Sequence, residues 1–182
     1  MKHLKKTFYF VRHGDAAYRG DSIFDDSHEV PLTSKGEKQA ESIQKVIELL
    51  SIQTICVSPM KRAIDTMNII TKNLSCETVV IPELSECTHA TWHKMVELEN
   101  GPKSGSNCPH VCSFMERAVI GATKALEHPG PVLIVAHGGV HFAICHYMDI
   151  KEHDKKIGNC VPVHFFPEEE NWKAKHLALP TE

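Results

Sequence analysis

The sequence lacks a long apolar run, a C-x-x-C cysteine pair and an excess of either charge. Its longest apolar runs, such as Val132–Ala136, are of strand length, far below the roughly 20 residues a membrane-crossing helix needs. With 20 basic and 23 acidic residues interspersed and a net charge of −3, no sequence-wide basic field exists to hold nucleic acid or an anionic membrane. Any anion must therefore be bound locally. The seven Cys are odd in number, and Lys2, Lys5 and Lys6 precede only the short run 8–11, which does not read as a secretory signal. A reduced, cytoplasmic setting is expected.

What is present suits an ordinary folded protein. A chain of 182 residues, 42% hydrophobic and 24% charged, buries about 70% of its unfolded surface and does not depend on disulfides. Thirteen His would add roughly eleven charges between pH 8 and 5.5 if all titrated near their reference value.

Residues 7–11 are β-branched and aromatic and predict a buried strand ended by Arg12-His13-Gly14. Residues 15–31, with Gly20, four Asp and Pro31, predict a long loop. Thr33 or Ser34 then caps a helix, with Glu37 placed for a capping box from Ser34 and Ala40, Ile43, Ile47 and Leu50 as its apolar stripe. Residues 53–57 predict a second strand, and Ser58-Pro59 a second helix with Ala63, Met67 and Ile70 on one face. Residues 78–81 predict a third strand. Phe114, Ala118, Ala122 and Leu126 mark a helix over 114–127, in spite of Gly121. Residues 131–136 predict the most buried strand, followed at once by His137-Gly138-Gly139 and an apolar helix to Tyr147. Residues 87–109, punctuated by Gly101, Pro102, Gly105 and Pro109, predict an irregular insertion, and the run 168–170 a solvated turn. Strands alternating with helices predict an α/β three-layer sandwich, a mainly parallel sheet with helices on both faces. Sites in such sheets lie at the carboxyl ends of strands.

Two of those ends carry His followed by Gly, at His13 and His137, where Gly lets the backbone come close to a ligand. A third ends at Ser58, and Arg62 follows one helical turn later. Arg12, Arg62, His13 and His137 would together form a compact set of donors to a tetrahedral oxyanion, as phosphate needs, helped by a nearby helix start. His89 and His93, and Cys108 with Cys112, are residue types that suit zinc, but the spacing is poor for a site. Free thiols and solvated His, with no metal, are expected there. Met60, Met67 and Met95 are expected in the core.

The sequence resembles the histidine phosphatase superfamily, the phosphoglycerate mutase-like proteins. The resemblance rests on Arg12-His13-Gly14, on Leu32-Thr33 with Gly36, Gln39 and Ala40, on Ser58-Pro59 with Arg62, Ala63 and Thr66, on Leu84-Ser85-Glu86, and on Val135-Ala136-His137-Gly138-Gly139. It runs from about Phe8 to His146 and more loosely to Phe166. With no internal repeat and no linker in the chain, the simplest reading is a single domain over 1–182 with a small lid at about 87–112, and the resemblance agrees with it. The resemblance implies that His13 is a nucleophile forming a phosphohistidine, that Arg12, Arg62 and His137 bind the phosphoryl group, and that Glu86 donates a proton, with Glu83 and Asp15 as rival acids. No cofactor is implied, because two Arg supply the cationic donors phosphoryl transfer requires.

The opening Arg12-His13-Gly14-Asp15-Ala16-Ala17 looks more like the short phosphohistidine-protein phosphatases. Glu86 and the double Gly after His137 look more like the mutase-type and broad phosphatase branch, whose Gly-Glu-Ser is reduced here to Gly105-Ser106. The resemblance thus implies metal-independent hydrolysis of phosphate monoesters or phosphoramidates, on a small phosphorylated metabolite or a phosphohistidine protein. Phosphohistidine-protein phosphatase or mutase activity are the alternatives. From other classes, a catalytically weak phosphate-ligand sensor or a metal-binding interaction module using the lid His and Cys remain. No oligomeric state follows.

Overall fold

The computed structural model describes residues 6–18, 28–100 and 108–178. Gly20 and three of the four Asp of the 15–31 loop, and Gly101, Pro102 and Gly105-Ser106 of the insertion, lie outside the described residues.

Strands β1 (Phe8–Arg12), β2 (Thr54–Val57), β3 (Glu77–Val80) and β4 (Val132–Ala136) form a parallel core in the order β3-β2-β4-β1, and β5 (Pro162–Glu168) and β6 (Asn171–His176) extend it antiparallel beyond β1. The sheet is mixed, as an α/β sandwich with an added hairpin. All five residues of β4 are buried, as expected for a parallel strand covered on both faces. Alternation along the strands feeds two cores. Val11, Ile55, Val57, Leu133 and Val135 pack with Ala40, Ile43 and Ile47 of α1 (Ser34–Glu48) and Ala63, Met67 and Ile70 of α2 (Lys61–Ile70). Phe8, Phe10, Ile134 and Ala136 pack with Phe114, Ala118 and Leu126 of α4 (Pro109–Glu127) and Phe142 and Ala143 of α5 (Gly138–Tyr147). Phe8 also stacks on Phe165 of β5 with centroids 4.7 Å apart, a pair that adds about 0.5–1.5 kcal/mol beyond its buried area.

Several expectations are refined. Thr33 is the cap of α1, accepting from Gly36 N–H at 3.1 Å, so the box from Ser34 to Glu37 does not form. The second helix starts at Lys61 rather than Ser58-Pro59, because Met60 before it is extended, at φ −74° and ψ 132°. The insertion read as irregular contains α3 (His89–Asn100), and α4 starts five residues early, at Pro109. Gly121 has a packing reason: a Cβ there would lie 3.0 Å from the backbone of Glu83, in the 3₁₀ turn Pro82–Leu84. Met60, Met67 and Met95 are buried and 168–170 is an exposed end of the β5–β6 hairpin, as expected. None of the seven Cys forms a disulfide. No helix among the described residues is long and apolar enough to cross a membrane.

Candidate active site

The carboxyl ends of β2, β4 and β1 lie side by side, and the ladder runs one step past them. Ser58 N–H donates to Val135 carbonyl and His13 N–H to Ala136 carbonyl, each at 3.0 Å. Parallel pairing in this register therefore sets Ser58, His137 and the Arg12-His13 pair along one edge. The chain leaves β1 for α1 on one face and leaves β4 for α5 on the other. A crevice opens where neighbouring connections diverge in this way.

His13 is almost fully buried. Its Nδ1–H donates to the Gly14 carbonyl at 2.7 Å, which leaves the lone pair on Nε2. Burial, reinforced by the Arg62 and Arg12 guanidiniums and only partly offset by that hydrogen bond, lowers its pKa to about 3. The ring is a neutral nucleophile at pH 7. The backbone that presents it is braced by Asn159, whose Nδ2 donates to His13 carbonyl at 2.7 Å, and by Thr66, whose Oγ1 accepts from Gly14 N–H at 3.0 Å.

His137 stands edge-on to His13, with ring centroids 5.1 Å apart. Met60 N–H donates to Ser58 Oγ at 3.3 Å, and that hydroxyl lies 2.7 Å from His137 Nε2. When the hydroxyl donates, Nε2 is the acceptor and Nδ1 carries the proton as a further donor. Burial first, and then the neighbouring His13, Arg62 and Arg12, hold His137 well below the usual imidazole pKa. Arg12 lies over Gly138, and its Nη1 donates to the Ile157 carbonyl at 2.8 Å. Arg62 is buried and donates through Nη2 to Met60 Sδ at 3.3 Å, under the ring of Tyr18 at 5.6 Å. Arg12 Nε and His137 Nδ1 are buried with no hydrogen-bond partner among the described residues. Buried donors normally have partners, and a tetrahedral oxyanion presented by substrate suits both. The first turn of α5 begins at Gly138, directly after His137, and favours negative charge there.

Glu86 enters from the turn after Leu84. Its Oε2 accepts from Gly139 N–H at 3.1 Å and its Oε1 from Cys87 N–H at 3.0 Å. Burial raises its pKa against those two hydrogen bonds and against the pull of Arg12 and Arg62. The rivals are placed differently. Glu83 pairs with Lys124 on the surface, and Asp15 accepts from Thr33 Oγ1 at 2.7 Å, tying the loop to the start of α1.

The structure thus gathers all five expected residues, Arg12, His13, Arg62, Glu86 and His137. At Gly14 the close approach is to the protein itself, whereas a Cβ on Gly138 would meet Arg12 Nε at 3.6 Å, an ordinary contact. A Cβ on Gly14 would lie 2.5 Å from Gly36 carbonyl, and one on Gly139 would lie 2.3 Å from Glu86 Oε1. Tyr18, Met60 and Asn159 are not singled out for the site by any spacing; in the fold itself, Cys160 next to Asn159 has a positive φ. His89 and His93 sit edge-on at the start of α3, with centroids 4.1 Å apart. Among the described residues, neither they nor Cys108 and Cys112 belong to a group of three metal-type ligands. An apolar cavity of about 600 Å³ between α3, α4 and the far end of α5, lined by Leu98, Met115 and Tyr147, is separate from this edge.

Residues 8–179 match the model of the histidine phosphatase superfamily, branch 1. Among curated proteins, the chain is 21% identical over 149 residues to the adenosylcobalamin/alpha-ribazole phosphatase of Escherichia coli strain K12, covering 72% of this chain and 73% of that one. It is 38% identical over 93 residues to a probable phosphatase of Schizosaccharomyces pombe, covering 47% of this chain and 43% of that one. It is 32% identical over 78 residues to a probable phosphoglycerate mutase of Cronobacter sakazakii, covering 43% and 36%. The matched stretch therefore spans less than half the length of the last two. The fold is that of the alpha-ribazole phosphatase from Shigella flexneri, with a TM-score of 0.71 at 17% identity over 97% of this chain and 100% of that one. It is also that of the mycobacterial glucosyl-3-phosphoglycerate phosphatase, with a TM-score of 0.65 at 17% identity over 94% and 96%.

Proposed function

The chain belongs to the histidine phosphatase superfamily, and on that footing we propose that it hydrolyses monoesters of a small phosphorylated metabolite, without a metal, through a phosphohistidine on His13. The observation that carries this reading is the state of His13. Its Nδ1–H is committed to Gly14 and its ring is neutral, beside buried donors on Arg12 and His137. In this reading residues 1–182 form one domain, with 87–112 as its lid.

In the first step His13 Nε2 attacks phosphorus in line. The bond to the leaving oxygen breaks, and that oxygen takes the proton of the Glu86 carboxyl. Arg12, Arg62 and His137 Nδ1–H hold the equatorial oxygens, where phosphoryl transfer needs most of its stabilisation. In the second step water attacks the phosphohistidine, Glu86 carboxylate takes its proton, and phosphate and neutral His13 are released. Asp15 is held by Thr33 and Glu83 by Lys124, which supports Glu86 as the acid. An acid in that place favours esters, whose alkoxide must be protonated, over phosphoramidates.

A screen of sugar phosphates, nucleotides, phosphoglycerates, alpha-ribazole phosphate and phosphohistidine peptides, with His13→Ala as control, tests the assignment. Release of phosphate from one or more monoesters, abolished in His13→Ala, is expected. Turnover confined to phosphohistidine peptides, or net transfer between phosphoglycerate positions in place of hydrolysis, would replace it with one of the related activities.

A further inference from the structure

A second cluster lies behind the pocket and takes no part in the proposed reaction. His141 and Cys145 stand one turn apart on α5, share a face, and are fully buried. His153 comes from the irregular segment 149–161 and is half-buried. Nε2 of His141 lies 3.1 Å from Nε2 of His153 and 3.6 Å from Sγ of Cys145. One ligand atom from each of the three lies within 4.8 Å of the others. Around a tetrahedral zinc, ligands at about 2.05 Å for nitrogen and about 2.3 Å for sulfur stand about 3.3 Å apart N to N and about 3.6 Å apart N to S. Two edges of the cluster already have nearly those lengths. Nδ1–H of His141 donates to the Lys155 carbonyl at 3.0 Å, the kind of outer contact that turns the Nε2 lone pair toward a metal. Phe10 and Phe165 wall the cluster, with ring centroids 5.3 and 5.8 Å from that of His141.

We propose that His141, Cys145 and His153 bind one zinc ion, with water in the fourth position on the side of the half-buried His153. Nitrogen and sulfur donors suit zinc rather than magnesium or calcium. On binding, the Cys145 thiol loses its proton to solvent and coordinates as thiolate, both imidazoles bind neutral, and no electron moves. The site uses none of the lid residues His89, His93, Cys108 and Cys112, and it departs from the sequence expectation of no metal. Its role is positional. Segment 149–161 also supplies the Ile157 carbonyl to Arg12 Nη1, Asn159 Nδ2 to the His13 carbonyl, and Cys160 N–H to the Arg12 carbonyl at 2.9 Å. An ion joining His153 to α5 fixes this segment behind Arg12 and His13.

The test is independent of catalysis. Chelator-stripped full-length protein is titrated with Zn²⁺ and, separately, Co²⁺. One Zn²⁺ per chain is expected, with a sulfur-to-cobalt charge-transfer band and the visible bands of tetrahedral Co²⁺. The unfolding temperature should rise by roughly 5–10 °C at Zn²⁺ a hundredfold above Kd. Cys145→Ala should abolish the charge-transfer band, and His153→Gln, a substitution at a half-buried position, should weaken Zn²⁺ binding by more than roughly 100-fold. The double variant His89→Gln, Cys112→Ala should bind as the parent does. No Zn²⁺ bound by the folded parent, Co²⁺ bound without a thiolate band, or binding that survives His153→Gln and is lost in the lid variant would each overturn the proposal. The contacts among His141, Cys145 and His153 would then be hydrogen bonding within the core.

Discussion

Glu86 is pulled in two directions: burial favours its acid form, and the N–H groups of Gly139 and Cys87 favour its anion. A group so balanced can give a proton in one step and take one in the next, and such acid–base work is typically worth 10²- to 10⁴-fold. Glu86→Gln is therefore expected to lose about 10²- to 10⁴-fold in kcat on alkyl phosphates and much less on aryl phosphates, whose leaving groups need no proton. In the proposed mechanism Glu86 must be protonated, and its pKa is raised, so alkyl phosphate turnover should fall as pH rises through that pKa, and Glu86→Gln should erase this limb of the profile. Glu83→Gln should change neither; if it carries the effect instead, the acid has been misassigned. The sequence alone left these two open because they flank the same Leu84-Ser85 step, and only the packed turn shows Glu83 meeting Lys124 at the surface. Arg12, His13, Arg62 and His137 were legible because each sits at a fixed offset from a strand end. Tyr18, Met60 and Asn159 were not, because loop contacts and a thioether acceptor follow no period.

The start of α5 and the turn before α3 are fitted to each other through Gly139, where a Cβ would collide with Glu86 Oε1. Gly139→Ala should displace that carboxylate, costing about 1–3 kcal/mol in stability as overpacking does and lowering kcat on alkyl phosphates more than on aryl phosphates. Denaturant unfolding alongside the two substrates checks this; equal loss on both would show that the glycine serves only packing. The helices of the core were readable from apolar spacing because each turns one face to a sheet buried on both sides. α3 was not, because its apolar positions Trp92, Met95 and Leu98 are followed by the breakers Gly101 and Pro102, which made the whole insertion look irregular. β5 alternates Val163 and Phe165 inward, but it opens on Pro162 and contains Pro167. Proline in a run argues against a strand, and here it stands at the first residue and near the end.

The molecule sets its pocket where the chain leaves β1 and β4 toward opposite faces, a consequence of topology that the alternating pattern predicted in outline. The antiparallel hairpin and the segment bracing Arg12 were beyond that pattern. Holding neutral imidazoles in this crevice has a cost in acid. Folded His13 stays neutral down to about pH 3 against 6.5 for the free side chain, and His137 is lowered in the same direction. Between those limits the unfolded chain binds more protons, so stability is full above about pH 6.5 and falls as pH drops toward 3. The urea midpoint should be lower at pH 5 than at pH 7.5, with these two rings taking up at most about two protons on unfolding at pH 5; a midpoint that rises would contradict the burial of these rings. Hydrolysis in the presence of chelator should continue at temperatures where the metal-free chain is folded, because in the proposed mechanism the guanidiniums carry the charge stabilisation. Loss of turnover by the folded chain, restored by a divalent ion, would refute this. The most direct measurement is rapid quench during turnover of a phosphorus-labelled aryl phosphate. Acid-labile, base-stable label on His13, absent in His13→Ala, is the expected result, and label on a Ser, Asp or Cys, or normal turnover by His13→Ala, would contradict the mechanism.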